Sequence, residues 1–360
     1  MNKKIIFSSG GTGGHIFPTI SLIKYFFNKG YDVLLVTDSR GNNYINKFSK
    51  IKSYIIKTDT PTNKNIYRKI FSLIIVFFSV IRSIFILNKE KPDLIFGLGG
   101  YVSFPISFAS KILDIPLVIY ENNLTIGRTN KLLLPFSKKI LFSTKIPQNF
   151  PEKYKKKAFS VGNILREEII NYTPVKEIEN SKVFSILVLG GSQGAEIFGK
   201  VIPPVVKMIK DKGFEINIYQ QCTLNQKNSL IEFYNTNKIK NNILDFHDNI
   251  LDLISLSNLA ISRCGASTTA ELVQTLTPFI GVPYPYSIDN HQYLNAKYYE
   301  SKECCWILEQ NNFNFNNLYN LLMSIIKDKN KLKTIRHNMK KNDSKNVYLN
   351  IENMIKDILK

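Results

Sequence analysis

The feature that most constrains this chain is a short apolar run that passes through glycines into a helical pattern, and it occurs twice. Ile5-Ile6-Phe7 leads to Gly10-Gly11-Thr12-Gly13-Gly14-His15, with Pro18 marking the helix start. Ile186-Leu187-Val188-Leu189 leads to Gly190-Gly191-Ser192-Gln193-Gly194-Ala195. Glycines at such a turn let a ligand or another backbone come close, and the helix N-terminus behind them offers free N–H groups to an anion. Further strands are expected at 4–8, 32–37, 94–96, 116–120 and 139–142. After a polar stretch at 171–182 they resume at 185–189, 215–219, 243–246, 259–262 and 279–282, with helical patterns between them. Alternation of this kind predicts parallel sheets covered by helices. With 360 residues, 44% of them hydrophobic, the chain has material for two cores. The expected fold class is therefore α/β, two doubly wound Rossmann-like domains. The expected domains are 1–162 and 163–340, with a polar helix at 341–360 packing back toward the N-terminal domain.

Lys and Arg number 48 against 28 Asp and Glu, a formal charge of +20. Such a charge favours polyanions, but the chain is loaded with Lys, Asn and Ile throughout, as an AT-rich genome produces. No aromatic-interleaved basic motif accompanies the charge, so no nucleic-acid partner is expected. The apolar content excludes disorder. Cys222, Cys264, Cys304 and Cys305 show no CxxC pairing, which fits a reducing cytoplasm better than disulfides or a zinc ribbon. The four histidines, His15, His247, His291 and His337, lack ligand spacing and no Asp-x-Asp follows a strand, so neither a metal nor a cofactor is indicated. The apolar run at 5–7 stops far short of an export-signal core, and the protein is expected to stay inside the cell.

In open parallel sheets ligands bind beyond the carboxyl ends of the strands. His15 stands at the mouth of the first loop, where an imidazole is placed for proton transfer; tight-turn packing is the plainer reading of the glycines. A third turn, Ser262-Arg263-Cys264-Gly265-Ala266-Ser267-Thr268-Thr269-Ala270-Glu271, opens a helix with small residues. Glu271 lies one turn inside, where a carboxylate can accept from a ribose diol or merely complement the helix dipole. Asp289-Asn290-His291-Gln292 opens another helix, suited to sugar hydroxyls or to simple N-capping. Gly97-Leu98-Gly99-Gly100-Tyr101-Val102-Ser103 and Tyr120-Glu121-Asn122-Asn123 both follow strands.

Residues 70–87 are nearly all apolar, interrupted by Ser72, Ser79, Arg82 and Ser83, which read as one stripe on a helical wheel. The remaining apolar face is wider than the roughly 100° a core-facing helix needs. Its length of about 27 Å approaches the roughly 30 Å of a bilayer core. Arg82 would cost roughly 2.5–3.5 kcal/mol at the bilayer centre, and the segment lies between strands of one sheet. The expectation is one face on the core and the other dipping into a membrane, flanked by Lys64, Arg68, Lys69, Lys89 and Lys91. A fully buried helix is the alternative.

With GGTGGHIFP at 10–18, GLGGYVS at 97–103, GGSQGA at 190–195 and the 263–271 stretch in this order, the chain resembles the MurG family from about residue 4 to 296. That family comprises the N-acetylglucosaminyltransferases that complete lipid II, the lipid-linked peptidoglycan precursor. The resemblance implies a glycosyltransferase B fold and a UDP-GlcNAc donor held mainly by the C-terminal domain. It also implies an undecaprenyl-pyrophosphoryl-MurNAc-pentapeptide acceptor, lipid I, met by the N-terminal domain. A peripheral position on the anionic cytoplasmic face of the bacterial inner membrane follows from that acceptor.

Carried over by motif, Thr12, Gly13 and Gly14 approach the donor, Asn123 contacts its sugar, and Tyr101 and Asn130 belong to the substrate-binding set. Arg166 matches an arginine near the nucleotide, Ser192 with Gln193 the diphosphate contact, and Phe246-His247 the segment along the uracil. Gly265, Ala266, Ser267 and Thr268 form the helix start, Glu271 matches the ribose carboxylate, and Gln292 with His291 the GlcNAc contact. The chain departs from the family where Tyr120, Ile164 and His291 stand for its frequent His, Pro and Gln, and where Gln220-Gln221-Cys222 lacks a glycine.

The implied reaction inverts α-linked GlcNAc to a β-1,4 bond as UDP leaves. His15 is the expected base, with Glu121 the competitor. Helix N-terminal N–H groups and Arg166 are left to stabilise the diphosphate. A UDP-GlcNAc 2-epimerase would share fold and donor but needs no lipid-facing helix.

Overall fold

The computed structural model describes every residue except 1, 11–12, 46–50, 60–64, 148, 175–181, 192–194, 246–249, 343–345 and 360. The chain divides into two compact units, Met1–Arg166 with Ser344–Lys360, and Glu167–Asp343.

The described strands of the first unit are β1 (Lys4–Ser8), β2 (Asp32–Thr37), β3 (Lys52–Ile55), β4 (Leu94–Gly97), β5 (Leu117–Glu121), β6 (Lys139–Phe142) and β7 (Ala158–Ser160). They form one parallel sheet in the order β3-β2-β1-β4-β5-β6-β7. In the second unit β8 (Phe184–Leu189), β9 (Ile216–Gln221), β10 (Lys240–Leu244), β11 (Leu259–Ser262), β12 (Phe279–Gly281) and β13 (Trp306–Ile307) repeat the arrangement as β10-β9-β8-β11-β12-β13. Each sheet reverses its winding beside its first strand, between β1 and β4 and between β8 and β11. Both glycine loops leave the carboxyl ends of those first strands, at the switch point where doubly wound sheets bind ligands. The expected fold class holds.

Central strands are buried on both faces, with Ile5, Ile6 and Phe7 fully so, which is why they read as unbroken apolar runs. The structure adds β3, β7 and β13, all at sheet edges, where half-exposed or very short strands carry no period. The strand expected at 243–246 instead begins at Lys240 and ends at Leu244. As an edge strand it leaves Lys240 and Asn242 in solvent, so its first half is polar.

The C-terminal helix Val347–Lys356 belongs to the first unit. Tyr348 stacks on Tyr25 at 5.0 Å, and the Tyr25 hydroxyl donates to Glu352 at 2.6 Å. Lys139 donates to Asp357 at 2.9 Å and to the Met354 carbonyl at 2.7 Å.

Among the described residues, one helix, Ile66–Glu90, is long and apolar enough to cross a membrane. Its polarity is inside out. Ser72, Ser79 and Ser83 are buried, whereas Phe71, Phe77, Phe78 and Phe85 are each more than 60% exposed. Ser72 donates to Asp59 at 2.8 Å and Ser79 to the Lys57 carbonyl, so the serine stripe fastens the helix to the chain before it. Arg82, expected in the same stripe, is exposed instead.

Apolar packing replaces the serines toward the helix end, where Ile86 and Leu87 join the core under the sheet. There Glu90 is buried and accepts from Lys52 at 2.6 Å, Tyr54 at 2.5 Å and Lys4 at 3.4 Å. Burial alone would raise the Glu90 carboxyl, but these donors outweigh it and hold the group at about 2. A depressed carboxylate stabilises the fold above its unfolded value near 4.3 and loses that contribution as pH falls toward 2. Glu90→Gln should therefore lower stability at pH 7 by about 3 kcal/mol, with wild type and variant converging near pH 2. Equal thermal unfolding of the two at pH 7 would contradict this anchor.

Candidate active site

In the first unit the helix Gly13–Asn28 contains Pro18, which cannot donate to the Gly14 carbonyl one turn back. Asn122, just beyond β5, donates to that carbonyl at 3.3 Å instead. The His15 side chain crosses to the loop after β4, its Nδ1 lying 3.0 Å from the Leu98 carbonyl. A carbonyl only accepts, so Nδ1 carries the proton and Nε2 keeps the basic lone pair.

This approach depends on glycine. Gly99 has φ +90°, and a Cβ there would lie 3.1 Å from the imidazole. Gly100 has φ +79°, and its Cβ would lie 3.0 Å from the Gly10 carbonyl. The two loops thus touch backbone to backbone, and Tyr101 beside them is exposed.

Glu121 is buried at the end of β5. One carboxylate oxygen accepts from the Asn123 amide N–H at 3.0 Å and side chain at 3.3 Å, the other from Gly127 N–H at 2.8 Å and Asn130 at 2.9 Å. Four donors on two oxygens make this carboxylate the organiser of the 121–130 loop. Asn130 also donates to the Tyr120 carbonyl at 3.0 Å, so both bonds fix its amide orientation. Its Oδ1 is buried and meets no partner among the described residues. Arg166 lies with its guanidinium 5.7 Å from the Phe17 ring centre.

In the second unit the helix Ala266–Gln274 starts from Gly265, which has no side chain to cap the first turn, so the backbone of Ala266, Ser267 and Thr268 opens the helix. Glu271 is half-buried one turn further on. The turn before it is braced on three sides. Gln292 Oε1 accepts from the N–H groups of Cys264 at 3.2 Å and Tyr284 at 3.0 Å, and Asn295 donates to the Cys264 carbonyl at 3.2 Å. Arg263 donates to the carbonyls of Val282 at 3.1 Å and Pro283 at 3.3 Å and to Gln310 at 2.6 Å, its guanidinium lying against Phe198 and Tyr284. His291 Nδ1 lies 2.7 Å from the Ile288 carbonyl, following Asp289 and Asn290, both in the left-handed region that Asp and Asn tolerate. Cys264 is fully buried, and burial pushes its thiol well above the ordinary range, so it is not a nucleophile.

Within the first unit the structure thus gathers Gly13, Gly14, His15, Glu121, Asn123 and Asn130 at the carboxyl ends of β1, β4 and β5. Within the second it gathers Gly265 to Glu271 with His291 and Gln292. Thr12, Ser192, Gln193, Phe246 and His247 lie outside the described residues. Sequence reasoning missed the Leu98 carbonyl and the bracing by Arg263 and Asn295. A backbone acceptor leaves no trace in residue types; Arg263, a charge ending an apolar strand, was the one available signal.

The glycosyltransferase family 28 N-terminal domain matches residues 5–142, and the family 28 C-terminal domain matches residues 185–351. A UDP-N-acetylglucosamine–N-acetylmuramyl-(pentapeptide) pyrophosphoryl-undecaprenol N-acetylglucosamine transferase of Rickettsia canadensis is 35% identical over 99% of this chain and 100% of its own length. The chain belongs to the MurG family. A Pelagibacter ubique protein of the same description is 32% identical over 98% of this chain and 97% of its own. Family membership makes the chain an N-acetylglucosaminyltransferase of peptidoglycan synthesis. Among solved structures, Acinetobacter baumannii MurG matches with a TM-score of 0.79 at 22% identity, covering 99% of this chain and 100% of that one. A Neisseria meningitidis UDP-GlcNAc 2-epimerase bound to UDP-GlcNAc matches at 0.68 and 13% identity, over 98% and 99%, which shows the shared fold alone.

Proposed function

We propose that this transferase moves GlcNAc from UDP-GlcNAc to the 4-hydroxyl of MurNAc in undecaprenyl-pyrophosphoryl-MurNAc-pentapeptide, with His15 as the base. The hydroxyl oxygen attacks the anomeric carbon from the face opposite the diphosphate. The carbon–oxygen bond to UDP breaks with its electron pair going to UDP, and His15 Nε2 takes the hydroxyl proton. The observation that carries the reading is the His15 Nδ1 contact with the Leu98 carbonyl, because it selects the tautomer with a basic Nε2. Glu121, already accepting from four donors, holds the loop rather than the proton.

Gly13 and Gly14, with Thr12, let the donor approach the first loop, and Asn123, Tyr101 and Asn130 bind sugar. The unpaired Asn130 Oδ1 supports this, since a buried acceptor without a partner costs about 1–3 kcal/mol and a ligand hydroxyl removes that penalty. The N–H groups opening the helix at Gly265 to Thr268, with Ser192, Gln193 and Arg166, stabilise the leaving diphosphate. Glu271 accepts from the ribose diol, and Phe246-His247 line the uracil. Gln292 braces the turn through Oε1 and offers Nε2 to GlcNAc beside His291. In this reading the first unit takes the acceptor and the membrane, and the second holds most of the donor. The exposed face of Ile66–Glu90 lies in the anionic cytoplasmic leaflet as a peripheral anchor.

Measuring UDP release from UDP-GlcNAc with and without a lipid I analogue tests the reading. Acceptor-dependent release with a β-1,4-linked product is the expected result. Acceptor-independent release with an epimerised sugar would assign the donor site to another reaction.

A further inference from the structure

Residues 161–166, where the first segment of this unit ends, carry no secondary structure, yet they are held from two sides. Asn350 on the C-terminal helix donates to the Val161 carbonyl at 3.2 Å, and Tyr348 donates to the Leu165 carbonyl. Gly162 has φ +106°, and a Cβ there would sit 3.5 Å from Val347. From the sheet side the Phe142 carbonyl of β6 accepts from the Val161 N–H at 2.9 Å, and one tyrosine hydroxyl reaches the residues that follow. Tyr120, 1% exposed at the end of β5, donates to the Gly162 carbonyl at 3.0 Å and accepts from the Ile164 N–H at 3.2 Å. One buried hydroxyl thus satisfies both a carbonyl and an N–H of an irregular segment.

We infer that Tyr120 is a positioning residue for donor binding, setting the place of Arg166 through the 162–164 backbone. The inference rests on the reading of Arg166 as a diphosphate contact. The chain of contacts runs from Tyr120, whose neighbour Glu121 ends β5 and orders the sugar-binding loop, to the segment that presents the arginine. One strand end thereby fixes both loops. Ile164 and Leu165 are buried between these holds, and Arg166 follows them directly in the chain.

A double-mutant cycle on Tyr120→Phe and Arg166→Ala tests it, with UDP affinity by calorimetry, KM for UDP-GlcNAc, kcat and thermal unfolding as readouts. Tyr120→Phe should weaken UDP binding and raise the donor KM by roughly threefold to tenfold. Acceptor KM should not move. In the Arg166→Ala background the same substitution should add nothing, because its effect passes through the arginine. Tyr120→His, which keeps a donor and an acceptor on the ring, should recover part of the loss, and should the Phe variant fail to fold, the cycle reads the remaining loss of the His variant with and without Arg166. If Tyr120→Phe costs as much without Arg166 as with it, the inference is wrong while the role of Arg166 stands. If Arg166→Ala leaves UDP affinity unchanged, the reading of Arg166 fails and the inference fails with it.

Discussion

Replacing His15 by alanine is expected to cut turnover by about 10²–10⁴-fold, the usual cost of losing a general base, while the protein stays folded and still binds UDP. The separation follows from where the side chain is held. Its Nδ1 meets the Leu98 carbonyl after β4, and the side chain is half-buried rather than part of the apolar core. Steady-state rates with a soluble acceptor analogue, alongside UDP calorimetry, check both halves. A near-normal rate would pass the proton to another group. Glu121 would then have to release some of its four donors to act, so Glu121→Gln should in that event be the slow variant.

The second large effect is expected at the membrane. Phe77 and Phe78 are 62% and 63% exposed on the outer face of Ile66–Glu90. Burying a phenylalanine side chain contributes about 1.5–3 kcal/mol, so Phe77→Ser with Phe78→Ser should reduce binding to anionic vesicles by about a hundredfold or more. Turnover of a water-soluble acceptor should be unaffected. Neighbouring exposed Arg68, Lys69 and Lys89 add about 1 kcal/mol each at an anionic surface, so raised salt should weaken vesicle binding of the wild type. Protection from protease on both sides of the segment in sealed vesicles, or retention through salt and alkali washes, would point to a span instead.

Legibility in the sequence followed burial. Strands covered on both faces, such as β1, β2 and β11, announce themselves because their central residues are apolar without a break. The edge strands β3, β7 and β13 do not, since solvent permits any residue on one side. The apolar middle of the helix at Ile66–Glu90 was plain from 70 to 87, but its polar ends and the face turned inward were not. Ser72 and Ser79 point in because they find Asp59 and the Lys57 carbonyl, partners that exist only once the chain has folded. At the candidate site the glycine loops, His15 and Glu121 stood out as residue types. What they do to each other did not, because the deciding partners are the Leu98 carbonyl and the amide N–H groups of Asn123 and Gly127. For Thr12, Ser192, Gln193, Phe246 and His247 the sequence motifs remain the whole basis of assignment.

Placed in a leaflet as proposed, the inside-out helix changes what concentration means for this enzyme. A protein held on a leaflet by such a face meets a lipid-bound acceptor by lateral diffusion in two dimensions, whereas the sugar nucleotide arrives from solution in three. Its acceptor dependence is then a matter of molecules per unit of membrane area, and diluting the cytoplasm leaves that term unchanged. Donor saturation alone follows bulk concentration, so the two substrates of a single reaction are counted on different scales.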